Sequence, residues 1–303
     1  MTLFIGSLQL GLIYGFLAIG IYISFRIMNI PDLTAEGSFT FGLVISAVAT
    51  EAGHPLLGIV FAILAGLVAG WVTGALNVYL RIPAILAGIL TMSGLYSVNL
   101  LAMGSKANLT LIGKETIFQL AAPIFGGSMN TAKTLVNLIL VAAFIVLFYL
   151  FFKTRIGLSI RATGDNEHMV RASSININTT KLLALAISNG VIALSGGILA
   201  QYQQFADISS GVGMLVVGLA SVIIGEAFLG QKSILRGLFA AVLGSIIYRL
   251  LIALAYQTNI FPTAAFRLLS AVIVTIALAI PTIKQLYDMQ RAKKENQSHA
   301  DTF

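Results

Sequence analysis

The sequence predicts an all-α protein that crosses a membrane about nine times. Three observations carry that expectation. The chain is 58% hydrophobic and only 10% charged, whereas water-exposed domains carry about 25% charged residues. Its apolar residues gather in nine runs, at 3–25, 30–50, 55–80, 83–103, 135–152, 182–202, 212–230, 234–255 and 266–283, most of them close to the ~20 residues that cover a hydrocarbon core. Lys and Arg fall in the short connections, so the net charge of +7 follows the positive-inside pattern and leaves no basic face for nucleic acid.

The first run, "MTLFIGSLQLGLIYGFLAIGIYISFR", lacks a basic leader and is too long for a cleaved signal peptide, so it reads as a retained span. The second opens on "NIPDLTAEGSFTFG", where Pro31 interrupts regular structure and Asp32 and Glu36 stand four apart, on one helix face. Carboxylates at membrane depth are costly and face a cavity or a partner. Either both lie in the interfacial zone with Asp32 or Thr34 as a cap, or Glu36 and Asp32 line a pathway. The third run carries Gly66, Gly70 and Gly74 on one face, which lets backbones approach closely within the bundle or at a subunit interface. In the fourth, "LTMSGLYSVN" repeats Ser93, Tyr96 and Asn99 at helical spacing. That polar stripe serves hydrogen bonds between helices or lines a pathway.

Residues 104–134 are too polar to span and are expected outside, holding an interfacial helix or lid. Gln201, Gln203 and Gln204 end the sixth run as an interfacial rim. Glu226 and Arg249 fall in adjacent spans, where an unpaired charge is strongly penalised, so they are expected to pair. Spans two to four and seven to nine share a plan: an acid-bearing segment, a Gly-bearing span, then a break at Pro83 or Pro262. With nine crossings the trios run in opposite directions, as an inverted repeat. Residues 1–283 thus form one transmembrane domain, and 284–303 form a polar, disordered cytoplasmic tail.

Orientation follows from the basic residues. Arg26, Arg81, Lys153, Arg155, Arg161, Arg171, Lys181, Lys232, Arg236, Lys284, Arg291, Lys293 and Lys294 share one side, and only Lys106, Lys114 and Lys133 the other. The first side is expected in the cytoplasm, with the N-terminus outside and the C-terminus inside, in the plasma or inner membrane. Chemistry of the chain's own is not in view. There is no cysteine, the three histidines are far apart, and no metal, cofactor or catalytic motif appears. "GEAFLGQKS", Gly225 to Ser233, misses a phosphate-binding loop by one inserted residue and ends an apolar span rather than a strand. The expectation is a non-enzyme that binds no cofactor.

The exception to the oil is the cytoplasmic loop 153–181, which holds "TGDNEHMVRASSIN". Gly164 is expected to break the preceding structure and Asp165 to cap a new helix, with Asn166 and Glu167 in a first turn that suits negative charge. Met169, Val170 and Ala172 offer apolar contacts; Glu167, His168 and Arg171 are left for water or a partner. Two or three turns are unstable alone. The helix docks on its own bundle or receives a soluble subunit.

At this point the residues carry a resemblance. "TRIGLSIRATGDNEHMVRASSIN" resembles the cytoplasmic loop of ABC-importer permeases of the branched-chain amino acid and ribose permease superfamily, with Arg161, Ala162, Gly164 and Asn166 in place and Ser174 where Gly is common. "LRIPAILAGILTMSG", "MNIPDLTAEGSFTFG" with Asp32, "GGILAQ", "GLASVIIGEAFLG" and "RGLFAAVLGSIIYRLL" keep the family order. Among its subgroups the chain most resembles permeases paired with tryptophan-type binding proteins. The resemblance implies a second permease copy as a homodimer, two ATP-binding subunits holding ATP and Mg, and an extracellular or periplasmic substrate-binding protein. It makes Arg161, Gly164, Asp165, Asn166, Glu167, His168 and Arg171 a coupling helix seated on the ATPase, and it implies import of an amino acid, tryptophan or another aromatic, by alternating access. The competing readings are an ion-coupled secondary transporter using Asp32, Glu36 or Glu226, a membrane scaffold that transports nothing, and an ABC permease for a sugar or nucleoside.

Overall fold

The computed structural model describes residues 2–173, 175–230 and 233–257, with 272, 275 and 279. In chain order the elements are α1 (Thr2–Ile21), a π-helical segment Tyr22–Ile27, α2 (Thr34–Glu51), α3 (Pro55–Val78), α4 (Ala84–Ala102), β1 (Asn108–Thr110), α5 (Ile117–Ala121) and α6 (Met129–Phe151). There follow α7 (Arg155–Asp165), α8 (Glu167–Ala172), α9 (Ile177–Gln203), β2 (Phe205–Asp207), α10 (Met214–Leu229) and α11 (Ile234–Gln257). The first eight expected runs are all helices. Among the described residues six helices are long and apolar enough to cross a membrane, and α10 is a shorter apolar helix. The protein is an all-α polytopic membrane protein. The ninth run at 266–283, Pro262, the tail, Ser174 and Lys232 lie outside the described residues, and with them the third member of the second trio.

α9 is the axis of the bundle. It is 27 residues long, about 40 Å at 1.5 Å per residue, and 89% of its apolar window is buried. It packs against α3, α2 and α1; α4 covers α2 and α3, and the antiparallel α10–α11 pair covers α1. The stripe of Gly66, Gly70 and Gly74 faces α9: a Cβ at Gly66 would strike the backbone of Asn189, one at Gly70 that of Leu185, and one at Gly74 would stand 3.1 Å from Leu182 Cα. The small residues therefore serve packing within the chain. Hydroxyls close the remaining gaps, with Ser188 donating to the Gly20 carbonyl at 2.8 Å, Ser195 to Ile13 at 2.8 Å and Ser46 to Gly197 at 2.9 Å. Such bonds join helices where lipid offers no other partner.

Two features at the end of the bundle opposite α7 depart from the expectations. Segment 104–134 holds the short α5, capped by Thr116 and Gln119 in a reciprocal box, but also β1, which pairs antiparallel with β2 as Asn108↔Asp207, Leu109↔Ala206 and Thr110↔Phe205. Strands of three residues are too short to show an alternation. Gln201 is not a rim residue. It is 1% exposed; its amide donates to Ser46 Oγ at 3.1 Å and the Pro55 carbonyl at 2.8 Å, and its oxygen accepts from Ile117 N at 2.9 Å. It ties α9 to α2, α3 and α5 because a buried amide must find partners.

Candidate functional site

The break between α1 and α2 builds the site. The chain leaves the helix through the π-helical segment, turns at Asn29 with φ of 53°, and passes Pro31, which has no N–H to continue a helix. Asp32 is 1% exposed. One carboxylate oxygen accepts from Thr34 N at 2.9 Å and the other from Asn189 Nδ2 at 2.6 Å. Asp32 thus pins the start of α2 to the middle of α9. Beside it Thr34 meets Thr73 at 2.7 Å, and Thr73 meets Thr91 at 2.9 Å, which joins α2, α3 and α4.

One turn further, Glu36 faces a different environment. After β2 the chain runs back along α2 as residues 208–213, with Gly211 against the Glu36 carbonyl and Thr40. Gly213, at φ 85°, precedes α10, and its N–H donates to Glu36 Oε1 at 3.0 Å. Between this segment, α2 and α4 lies a cleft of about 490 Å³, within the ~300–1,000 Å³ range of small-molecule sites. Its walls include Glu36, Thr40, Met92, Ser93, Tyr96, Asn99, Ile208 and Val212. The whole stripe expected on the fourth span opens into it together with Glu36. Asp32 does not line it; it is spent on Thr34 and Asn189. Asn99 is 1% exposed and its Oδ1 has no hydrogen-bond partner, whereas Ser93 and Tyr96 are exposed. Among the described residues no Lys, Arg or His lines it. Asn189 and the wall at 208–213 escaped the sequence reading. The G-x-G at Gly211 to Gly213, just before an apolar run, is the signal that marks the wall.

A second polar region lies at the other end of the bundle. α7 starts at Thr154, whose side chain accepts from Gly157 N at 3.2 Å, and runs through Gly164 to Asp165. The expected break at Gly164 is therefore not there: the glycine sits inside the helix because its Cα lies against the Ile27 carbonyl, where a Cβ has no room. Asn29 Nδ2 donates to the Gly164 carbonyl at 3.1 Å. Asn166, not Asp165, caps α8 by accepting from Met169 N at 3.1 Å, since only its extended backbone presents the side chain to the next turn. Ile160 and Val170 are buried and anchor the pair. Glu167 takes Lys181 of α9 at 2.6 Å, while Arg161, Asp165, His168 and Arg171 stay exposed. Met169 is 62% exposed.

The expected pair of Glu226 and Arg249 does not form. Gly225 packs on Ala240 and Gly244 on Ser221, so Glu226 stands level with residue 239, and Arg249 is ten residues on, about 15 Å away along the axis. Glu226 instead accepts from Arg26 Nε at 2.9 Å, and Arg249 lies over the Tyr14 ring, 4.0 Å from its centroid, a favourable seat for guanidinium.

Comparison with known proteins agrees with this architecture. Residues 3–278 match the family model described as the branched-chain amino acid transport system permease component. The tyrosine transport system permease protein of Clostridioides difficile is 37% identical over 271 residues, covering 88% of each chain. The autoinducer 2 import system permease protein LsrC of Salmonella typhimurium is 31% identical over 233 residues, 76% of this chain and 63% of that one. Among solved structures, PsaBC from Streptococcus pneumoniae in complex with Fab is similar in fold, with a TM-score of 0.54 at 17% identity over 89% of both chains.

Proposed function

The chain belongs to the family of branched-chain amino acid transport system permease components, and on that premise we propose that it is the membrane subunit of an ATP-driven amino acid importer working by alternating access. The observation that carries the reading is the pair α7–α8. Two charged helices, Arg161, Asp165, His168 and Arg171 turned outward, sit on an otherwise apolar bundle and touch it at the break that precedes the cleft. A secondary carrier has no use for such a platform. An ATPase that changes shape does, because a few kcal/mol of differential contact biases a two-state element.

In this reading the α7–α8 end is cytoplasmic, which the clustering of Arg26, Arg81, Lys153, Arg155, Lys181 and Arg236 at that end supports. ATP and Mg are bound by the partner ATPase, and a substrate-binding protein delivers the solute to the ribbon end. The cleft is one wall of the pathway. Its open side supports a second copy: Ser93, Tyr96 and Ser97 are exposed on the membrane-spanning α4, where lipid tails would leave them unsolvated. The similarity to a tyrosine permease favours an aromatic amino acid as cargo.

Co-expression with the ATPase and binding protein from the same gene neighbourhood, reconstitution into liposomes and measurement of labelled amino acid uptake tests the proposal. ATP-dependent uptake of an aromatic amino acid is expected. ATP-independent uptake driven by a proton gradient overturns it in favour of an ion-coupled carrier, and ATP-dependent uptake of a sugar alone overturns the cargo.

A further inference from the structure

We propose that the cleft between α2, α4 and residues 208–213 recognises the ammonium group of the transported solute, with Glu36 as its charge partner and the Asn99 amide as a second polar contact. This rests on the importer reading and adds to it the end of the solute that the membrane subunit reads. Glu36 gives only Oε1 to the Gly213 N–H; among the described residues Oε2 accepts no hydrogen bond. Asn99 is nine-tenths buried and more, with an Oδ1 that is also unpaired. Glu36 is only partly buried, whereas a buried acceptor without a partner, as Asn99 Oδ1 is, is rare in folded proteins and marks a missing donor. Among the described residues the formal charge of the wall is that of one carboxylate, and no Lys, Arg or His lines it. The complement is a group with several N–H donors and a positive charge.

The rest of the wall suits the remainder of such a solute. Tyr96 is 56% exposed and brings to the lining an aromatic ring, a group that attracts cations and aromatic bodies. Met92 and Val212 supply adaptable apolar surface. A carboxylate in the cleft would meet Glu36 and find no basic side chain among the described residues, so a zwitterion is expected to enter with its ammonium toward Glu36 and its carboxylate directed away from the wall.

Three probes that share one ring separate the groups: L-tyrosine, tyramine and 3-(4-hydroxyphenyl)propionate. Their binding is measured as thermal stabilisation of the permease–ATPase complex in nanodiscs, without binding protein. L-tyrosine and tyramine are expected to stabilise the complex and the propionate not. Glu36→Gln keeps an acceptor for Gly213, and Asn99→Leu removes an amide that makes no hydrogen bond among the described residues, so both should fold. The response to tyramine should weaken about tenfold to a hundredfold in Glu36→Gln, the range for a charge-assisted hydrogen bond, and less in Asn99→Leu. Equal binding of all three probes, binding of none at millimolar concentration, or unchanged affinity in both variants overturns the proposal. ATP-dependent uptake by the full complex is measured in parallel. Its absence in the wild type strikes the importer reading, whereas wild-type uptake with equal uptake by Glu36→Gln strikes only this inference.

Discussion

Gly164→Ala places one methyl group where α7 meets the bundle, and its effect can be worked out term by term. The new Cβ would strike the Ile27 carbonyl, which is backbone and cannot rotate away, so α7 must lift. Overpacking of this kind costs about 1–3 kcal/mol. Lifting also breaks the 3.1 Å bond from Asn29 Nδ2 to the Gly164 carbonyl, a further loss of about 1 kcal/mol. Alanine returns about 1 kcal/mol in helix propensity over glycine. The net loss of about 1–3 kcal/mol is small beside a total stability of about 5–15 kcal/mol, so the variant should insert and assemble. The same energy at a joint between two states shifts coupling by about 5- to 150-fold. The assay is amino acid imported per ATP hydrolysed in proteoliposomes, with Gly94→Ala as control because nothing lies within 4 Å of a Cβ there. Import per ATP should fall at least about fivefold in Gly164→Ala and stay unchanged in the control. Equal coupling in both variants, with equal melting temperatures, would refute the seating of α7 on the break before α2.

Asp32→Ala leaves Thr34 N and Asn189 Nδ2 without their acceptor and should lower stability by about 2–5 kcal/mol, read as a drop in melting temperature in detergent; lost uptake at an unchanged melting temperature would instead make Asp32 a pathway group. Gln201→Leu frees the Pro55 carbonyl and Ile117 N, and hydrogen exchange should rise first in α5 and the start of α3; exchange confined to α9 would contradict the tie. Glu167→Arg faces Lys181 with a like charge, but that pair is solvent-screened and worth about 1 kcal/mol or less. Its melting temperature should barely move while ATP-driven uptake falls, and unchanged uptake would free Glu167 from coupling.

The spans were legible because each is a long apolar run bounded by charge, Gly or Pro, and that pattern is set by the thickness of the bilayer. The stripe of Ser93, Tyr96 and Asn99 was legible for the same reason: polar groups on a spanning helix need water or a partner, and all three line one cleft. The pairing of Glu226 was not. Adjacency of spans says nothing about depth, and only the glycine contacts of α10 with α11 fix the register that separates Glu226 from Arg249. Asp32 and Glu36 looked equivalent at four residues apart, yet Asn189 and Gly213, both distant in sequence, gave one a structural bond and the other an open oxygen. Gly164 was misjudged because glycine inside a helix usually weakens it, whereas here the neighbour's carbonyl requires the missing side chain.

The small ribbon of β1 and β2 has a mechanical meaning. β2 continues directly into residues 208–213, which form one wall of the cleft and end on the bond from Gly213 to Glu36. Anything that presses on residues 104–128 therefore pulls a tether whose far end is Glu36. From the opposite end, α7 grips Ile27 and Asn29, and that stretch leads through Asp32 into the same residue. The two ends of the molecule hold the two ends of one rope, and the knot is a single glutamate.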